Sequence, residues 1–233
     1  MSFIHVSGLC TTRFSVGKRG DPVALGHFDG IRSVDAVVDQ THDMGTATAD
    51  LARTLDAHCT GDQWCYLYGY SNGGAVISRA LSLYDDDRWN VLWVLTVASN
   101  EGGSELSGSF VADVGDVLGI TCDLSNNVGP TEHRAGWDHD DTGGVTFYQM
   151  AGHREYLLTG KLPDFFGGQA NDGAVPYHSA GGLNDTWFVS DDDPWLCYAP
   201  DWHFDQHVIA GACRGYDRNH DQMQRKGIED LGG

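Results

Sequence analysis

One pentapeptide in this chain has the residue types and spacing to activate a nucleophile: Gly69-Tyr70-Ser71-Asn72-Gly73, followed by Gly74. A serine hydroxyl is weak alone and needs a turn that exposes it and a base that takes its proton. Trp64-Cys65-Tyr66-Leu67-Tyr68 ahead of the motif is rich in β-formers. The stretch 73–84 behind it carries Val76, Ile77, Ala80, Leu81 and Tyr84 on one helical face. A strand-to-helix turn holds such a serine in a strained conformation with its hydroxyl exposed. Glycines two residues before and two after leave room for close backbone packing. The N-terminus of the following helix offers unpaired N–H groups and a partial positive charge to an oxyanion. The pattern occurs once, and its flanks give it more weight than its five letters.

Short apolar runs alternate with amphipathic stretches around this turn, which predicts an α/β architecture with a mostly parallel sheet. Residues 3–7 read as a buried strand ending at Gly8, and 22–25 as a weaker one. Residues 64–69 and the nearly continuous apolar run 91–98 read as central strands, with 145–150 and 207–213 as the last two. Residues 46–58 place Ala47, Leu51, Ala52 and Leu55 on a helical stripe. The polar stretch 123–144 reads as a long loop, of the kind that is usually functional or mobile.

In element order, and in the turn at Ser71, the chain resembles the α/β-hydrolase superfamily, and within it the small secreted bacterial lipases and esterases. The likeness covers most of the chain, while motif identity is confined to short stretches. It implies a minimal α/β-hydrolase fold: one domain over residues 1–233, a mostly parallel central sheet, and helices on its faces. A first strand starting at residue 3 leaves no room for the family's leading hairpin. The family's order of catalytic residues is serine, acid, histidine. Asn171-Asp172-Gly173-Ala174-Val175-Pro176, with Ser179-Ala180 after it, looks like the acid-bearing turn and marks Asp172. Of the histidines beyond it, His178 is too close to that turn, and His203 and His207 flank or begin the strand expected at 207–213. Asn219-His220-Asp221-Gln222-Met223 resembles the family's final histidine loop, so His220 is the favoured base, with His203 and His207 as alternatives.

The resemblance also implies two backbone donors to an oxyanion. Asn72 supplies one. The loop Ser7-Gly8-Leu9-Cys10 supplies the other through Leu9, with Cys10 as the alternative. Relatives carry His-Gly-x there; the glycine matches, but Ser7 replaces the histidine. The implied activity is cofactor-free hydrolysis of a small-molecule or lipid ester through an acyl-enzyme. A polyester or aryl-ester hydrolase is the second enzyme reading, and a non-catalytic hydrolase-like binding module the rival from another class. No apolar lid helix is evident between residues 91 and 172, which favours soluble or short-to-medium acyl esters.

Composition sets the outer bounds. The 233 residues are 41% apolar and 11% aromatic, ample for a buried core. Lys and Arg number 14 against 33 Asp and Glu, a formal charge of −19, which excludes the basic footprint of a nucleic-acid or anionic-membrane binder. Either a saline habitat or ordinary export accounts for that surplus. No apolar run reaches transmembrane length, so no integral membrane association is expected. The acidic runs 138–141 and 191–193 lack EF-hand spacing and read as solvated surface, so no metal is expected. His133 and His139 in the long polar stretch are candidates to approach the active site or, more simply, surface residues. Trp187, Trp195 and Trp202 are candidates for an acyl pocket or, more simply, for core packing.

Six cysteines, none in a C-x-x-C pair, point to disulfides and an oxidising compartment. Loop logic pairs Cys59 with Cys65 and Cys197 with Cys213, and leaves Cys10 with Cys122. Without a charged leader or long apolar stretch ahead of residue 3, the chain reads as the mature form of a secreted or periplasmic protein.

Overall fold

The computed structural model describes residues 1–13, 29–104, 106–107, 122–129, 133, 136–137, 142–152, 154, 171–176, 179–180 and 213–231. Within them lie six strands: β1 (Ser2–Val6), β2 (Arg32–Asp35), β3 (Cys65–Tyr70), β4 (Val91–Val97), β5 (Thr146–Gly152) and β6 (Cys213–Tyr216). Three α-helices accompany them: α1 (Met44–His58), α2 (Asn72–Leu83) and α3 (His220–Asp230). A 3₁₀ turn occupies Asp123–Asn127 in the stretch expected to be loop. The strands form one sheet in the order β2-β1-β3-β4-β5-β6, and all five pairings are parallel.

Side-chain alternation along β1, β3, β4 and β5 builds two cores. Ile4, Val6, Leu67, Val94 and Phe147 pack with the apolar stripes of α1 and α2 on one face. Phe3, Tyr68, Leu95, Val97 and Met150 meet Met223 and Ile228 of α3 on the other. Burial on both faces is why β1, β3 and β4 read as nearly unbroken apolar runs. Helix α1 starts two residues earlier than its apolar stripe suggests, because the Asp43 side chain caps it by accepting from the Thr46 N–H at 2.8 Å.

The sheet's ends depart most from the sequence reading. β2 was not anticipated: it is a four-residue edge strand in which only Val34 is apolar, and no position is fully buried. The strand expected at 22–25 lies outside the described residues. At the other edge the described strand begins at Cys213, where the expected 207–213 ends, and residues 207–212 lie outside the described set.

Two of the three expected disulfides are present. Cys59–Cys65 joins the end of α1 to the start of β3, and Cys10–Cys122 bridges a sequence separation of 112. Cys197 lies outside the described residues, and with it the third expected pair. No described helix is long and apolar enough to cross a membrane.

The topology fixes where chemistry can occur. From β1 the chain leaves toward β2 on one side, then returns to β3 on the other. At such a switch point, connections diverge from the carboxyl ends of neighbouring strands and leave a crevice open. The loop after β1 and the turn after β3 border it.

Candidate active site

Ser71 stands between β3 and α2 with φ 53° and ψ −133°, a region few non-glycine residues occupy. Such a backbone persists only when its surroundings over-determine it. Here the Ser71 N–H donates to the Val97 carbonyl at 3.0 Å, and the Ser71 carbonyl accepts from the Gly74 N–H at 3.1 Å. The motif's glycines make the close approach possible. A Cβ on Gly69 would sit 2.6 Å from Gly74 Cα, and one on Gly73 would sit 2.5 Å from the carbonyl oxygens of Val6 and Ser7. Gly8 completes the nest, since a Cβ there would lie 2.9 Å from that of Ser71. The serine side chain makes no capping bond to its helix, so its hydroxyl remains available to other partners.

One of those partners is His220. Its Nε2 lies 2.9 Å from Ser71 Oγ, and its Nδ1 lies 2.7 Å from Asp172 Oδ2. Asp172 is held by its own turn: Oδ1 accepts from the N–H groups of Ala174 at 3.0 Å and Val175 at 2.8 Å. The Asp172 carbonyl also accepts from the His220 N–H at 3.0 Å, so backbone and side chain both tie the two residues together. Tyr70, next to the serine, donates its hydroxyl to the His220 carbonyl at 3.0 Å.

His220 is not in a loop, as the sequence reading had it, but is the first residue of α3. Asn219 and Gln222 form a reciprocal capping box that starts the helix there. Ser71, Asp172 and His220 are all buried, and only Ser71 keeps appreciable contact with solvent. Burial pulls the His220 pKa down, but the charge and hydrogen bond of Asp172, helped by Asp221, outweigh it. The net displacement is upward from the ordinary histidine value.

Asn72 is the first residue of α2, so its N–H has no acceptor within the helix. Leu9 follows Gly8, whose Cα lies against Ser71. Cys10, the alternative donor, gives its N–H to the Gln40 carbonyl at 3.0 Å and is engaged there. Of the two readings of His133, the structure corrects the surface one: the residue is fully buried, with Nε2 3.2 Å from Oδ1 of Asn72, the neighbour of Ser71. Two further buried residues near the elbow carried no sequence signal. Gln40 contacts Asn72 with its side chain at 3.0 Å. Glu101 follows β4, and burial pushes its carboxyl up to about 7 against weaker opposition from the Ser99 and Thr96 hydroxyls.

His178, His203, His207, His139, the three tryptophans at 187, 195 and 202, and both acidic runs lie outside the described residues. Among the described residues, no three His, Cys, Asp or Glu side chains gather as a metal site.

No family model matches the sequence. No curated protein matches it either. Solved structures do match in shape. The mature form of the Bacillus licheniformis lipase BlEst2 is similar over 99% of this chain and 89% of its own, with a TM-score of 0.62 and 16% identity. The metagenomic carboxyl esterase MGS0156 is similar over 94% of this chain and 64% of its own, with a TM-score of 0.60 and 14% identity. Lipase 1 from Pelosinus fermentans matches over 99% and 98%, with a TM-score of 0.50 and 12% identity. At such identities the likeness establishes the fold. It is that of the α/β hydrolases, a parallel sheet flanked by helices.

Proposed function

We propose that this chain is a serine-dependent carboxylic-ester hydrolase of the esterase or lipase kind, working through an acyl-enzyme. The observation that carries this reading is the buried hydrogen-bonded chain Ser71–His220–Asp172, with spacings of 2.9 and 2.7 Å, on a serine held at positive φ. Three residues from distant parts of the sequence come together in a hydrogen-bonded geometry suited to acyl transfer, which supports this reading.

In this reading Ser71 Oγ attacks the ester carbonyl while His220 Nε2 takes its proton. Asp172 accepts a hydrogen bond from Nδ1–H, which fixes the imidazole tautomer and stabilises the imidazolium. The proton then passes to the departing alkoxide, and the acyl group remains on Ser71. A water molecule, deprotonated by the same imidazole, then attacks the acyl carbonyl; the bond to Ser71 Oγ breaks, Oγ takes the proton back from the imidazolium, and the acid leaves and ionises to the carboxylate. The N–H groups of Asn72 and Leu9 stabilise the oxyanion of both tetrahedral intermediates. The residues in these steps need no cofactor. The partner is a small-molecule or lipid ester, and a surface of net charge −19 is unsuited to nucleic acid. The two disulfides support a secreted or periplasmic location for this single α/β unit.

Fluorophosphonate labelling followed by peptide mapping tests the proposal. A single label on Ser71, absent from Ser71→Ala, is the expected result, with hydrolysis of p-nitrophenyl esters lost in parallel. Folded protein that neither labels nor hydrolyses esters of any chain length is a binding module, and the reading is then wrong. Among active outcomes, the dependence of rate on acyl length separates esterase from lipase.

A further inference from the structure

We propose that Gln40 is a positioning residue that holds the two oxyanion donors in register, an inference that rests on the hydrolase reading above. The donors sit on segments far apart in sequence: Leu9 in the loop after β1, and Asn72 at the start of α2. Gln40, between β2 and α1, is fully buried and bonds to both segments. Its Nε2 donates to the Ser7 carbonyl, and its Oε1 accepts from Asn72 Nδ2 at 3.0 Å. Its backbone joins the same loop twice more. The Gln40 carbonyl accepts from the Cys10 N–H at 3.0 Å, and the Gln40 N–H donates to the Thr11 carbonyl at 3.0 Å.

The amide can point only one way. A carbonyl accepts and never donates, so the group facing Ser7 must be the NH₂, which leaves the oxygen for Asn72. Asn72 is then oriented in turn: its NH₂ faces Gln40, and its oxygen accepts from His133 Nε2 at 3.2 Å. The donors therefore run in one direction, from His133 through Asn72 and Gln40 to Ser7. Ser7 and Cys10 bracket Gly8 and Leu9, so the Gln40 contacts grip both sides of one donor segment. A second grip comes from Ser7 Oγ, 2.6 Å from Thr11 Oγ1, which itself donates to the Gly8 carbonyl at 2.6 Å. None of these atoms needs to meet substrate. They set the distance between two N–H groups that must converge on one oxygen.

The test compares Gln40→Met, which keeps volume and removes both side-chain hydrogen bonds, with Gln40→Glu, on preparations normalised to fluorophosphonate-titratable Ser71. For Gln40→Met we expect kcat on a p-nitrophenyl ester to fall about 10- to 100-fold with KM nearly unchanged, since a misplaced donor weakens the transition state alone. Affinity for a boronic acid that mimics the tetrahedral intermediate should fall by a similar factor. Gln40→Glu keeps the acceptor toward Asn72 but faces the Ser7 carbonyl with a donor only when protonated. Its kcat relative to wild type should therefore rise as pH falls. If either folded variant retains wild-type kcat and boronate affinity across the pH range, Gln40 does not position the donors. If Gln40→Met fails to fold, Gln40→Glu decides: a pH-independent ratio to wild type overturns the inference. Wild-type protein that neither labels nor turns over esters removes the hydrolase reading itself, a separate outcome.

Discussion

Replacing Asp172 with Asn changes one atom and, by the geometry of its turn, reverses a tautomer. In the wild type, Oδ1 faces two backbone donors, the N–H groups of Ala174 at 3.0 Å and Val175 at 2.8 Å. An asparagine amide must keep its oxygen there, because an NH₂ in that place would confront two N–H groups. The NH₂ is then presented to His220 Nδ1, where Oδ2 had accepted at 2.7 Å. Nδ1 must become the acceptor, which places the imidazole proton on Nε2, against Ser71 Oγ at 2.9 Å. In that state the ring cannot take the serine proton. The expected loss in kcat is about 10⁴-fold, or about 5 kcal/mol of transition-state stabilisation, the scale seen when a triad aspartate becomes asparagine. KM should change little, because no substrate contact is removed. Folding should be spared, since the turn keeps both backbone bonds; a melting shift beyond several degrees would mean another defect. Initial rates on p-nitrophenyl butyrate, read beside a thermal melt, decide the matter. A folded Asp172→Asn protein within tenfold of wild-type kcat would refute the assignment of Asp172 as the acid.

Three further expectations follow from groups already described. Neutral imidazole is the form that accepts a proton, and His220 is raised above its ordinary 6.5. The profile of kcat/KM against pH should therefore lose activity as pH falls through a limb centred above 6.5; a limb centred well below it contradicts the pairing with Asp172. Glu101, raised from 4.5 to about 7, favours the neutral carboxyl in the fold, so its contribution to stability is full below pH 4.5 and lost as pH rises through about 7. At 1.36 kcal/mol per pH unit that amounts to about 3 kcal/mol, and urea unfolding of Glu101→Gln across this window should lack the decline; equal slopes in both proteins would remove the explanation. Loop-closure entropy gives the Cys10–Cys122 bridge about 5 kcal/mol and Cys59–Cys65 about 2, so the Cys10→Ser/Cys122→Ser pair should unfold at clearly lower urea than Cys59→Ser/Cys65→Ser, and the reverse order would overturn that model.

The serine turn was legible because its causes are local: a β-rich run, glycines at fixed offsets, and a helical stripe. Asp172 and His220 were legible through the order of elements in a resembling family. The conformation around His220 was not, although Asn219 and Gln222 spell a capping box that marks a helix start. β2 escaped because an edge strand with partly exposed positions leaves no apolar alternation to read. Gln40 had no sequence signature, and His133 stood out only as a histidine in a long polar stretch. Their partners are a backbone carbonyl 33 residues away and an amide 61 residues away, contacts that only the assembled sheet brings about.

The Cys10–Cys122 bridge divides the proposed catalytic groups between two mechanically different territories. Ser71, Asn72 and Gln40 belong to the covalent ring that it closes, while Asp172 and His220 lie on the chain beyond it. α3 is fastened to the ring by side-chain latches, Tyr68 to the Gln224 carbonyl at 2.8 Å and Tyr70 to the His220 carbonyl at 3.0 Å, and by the close seat of Gly227 on Val97 and Tyr68. Peeling β6 and α3 from the sheet would carry off the proposed base in one motion, while the proposed nucleophile stayed in its ring with its chain fluctuations curtailed. Under mild denaturant any activity that rests on His220 would then be lost before the ring unravels. Recovery would require only that β6 and α3 find a seat already built.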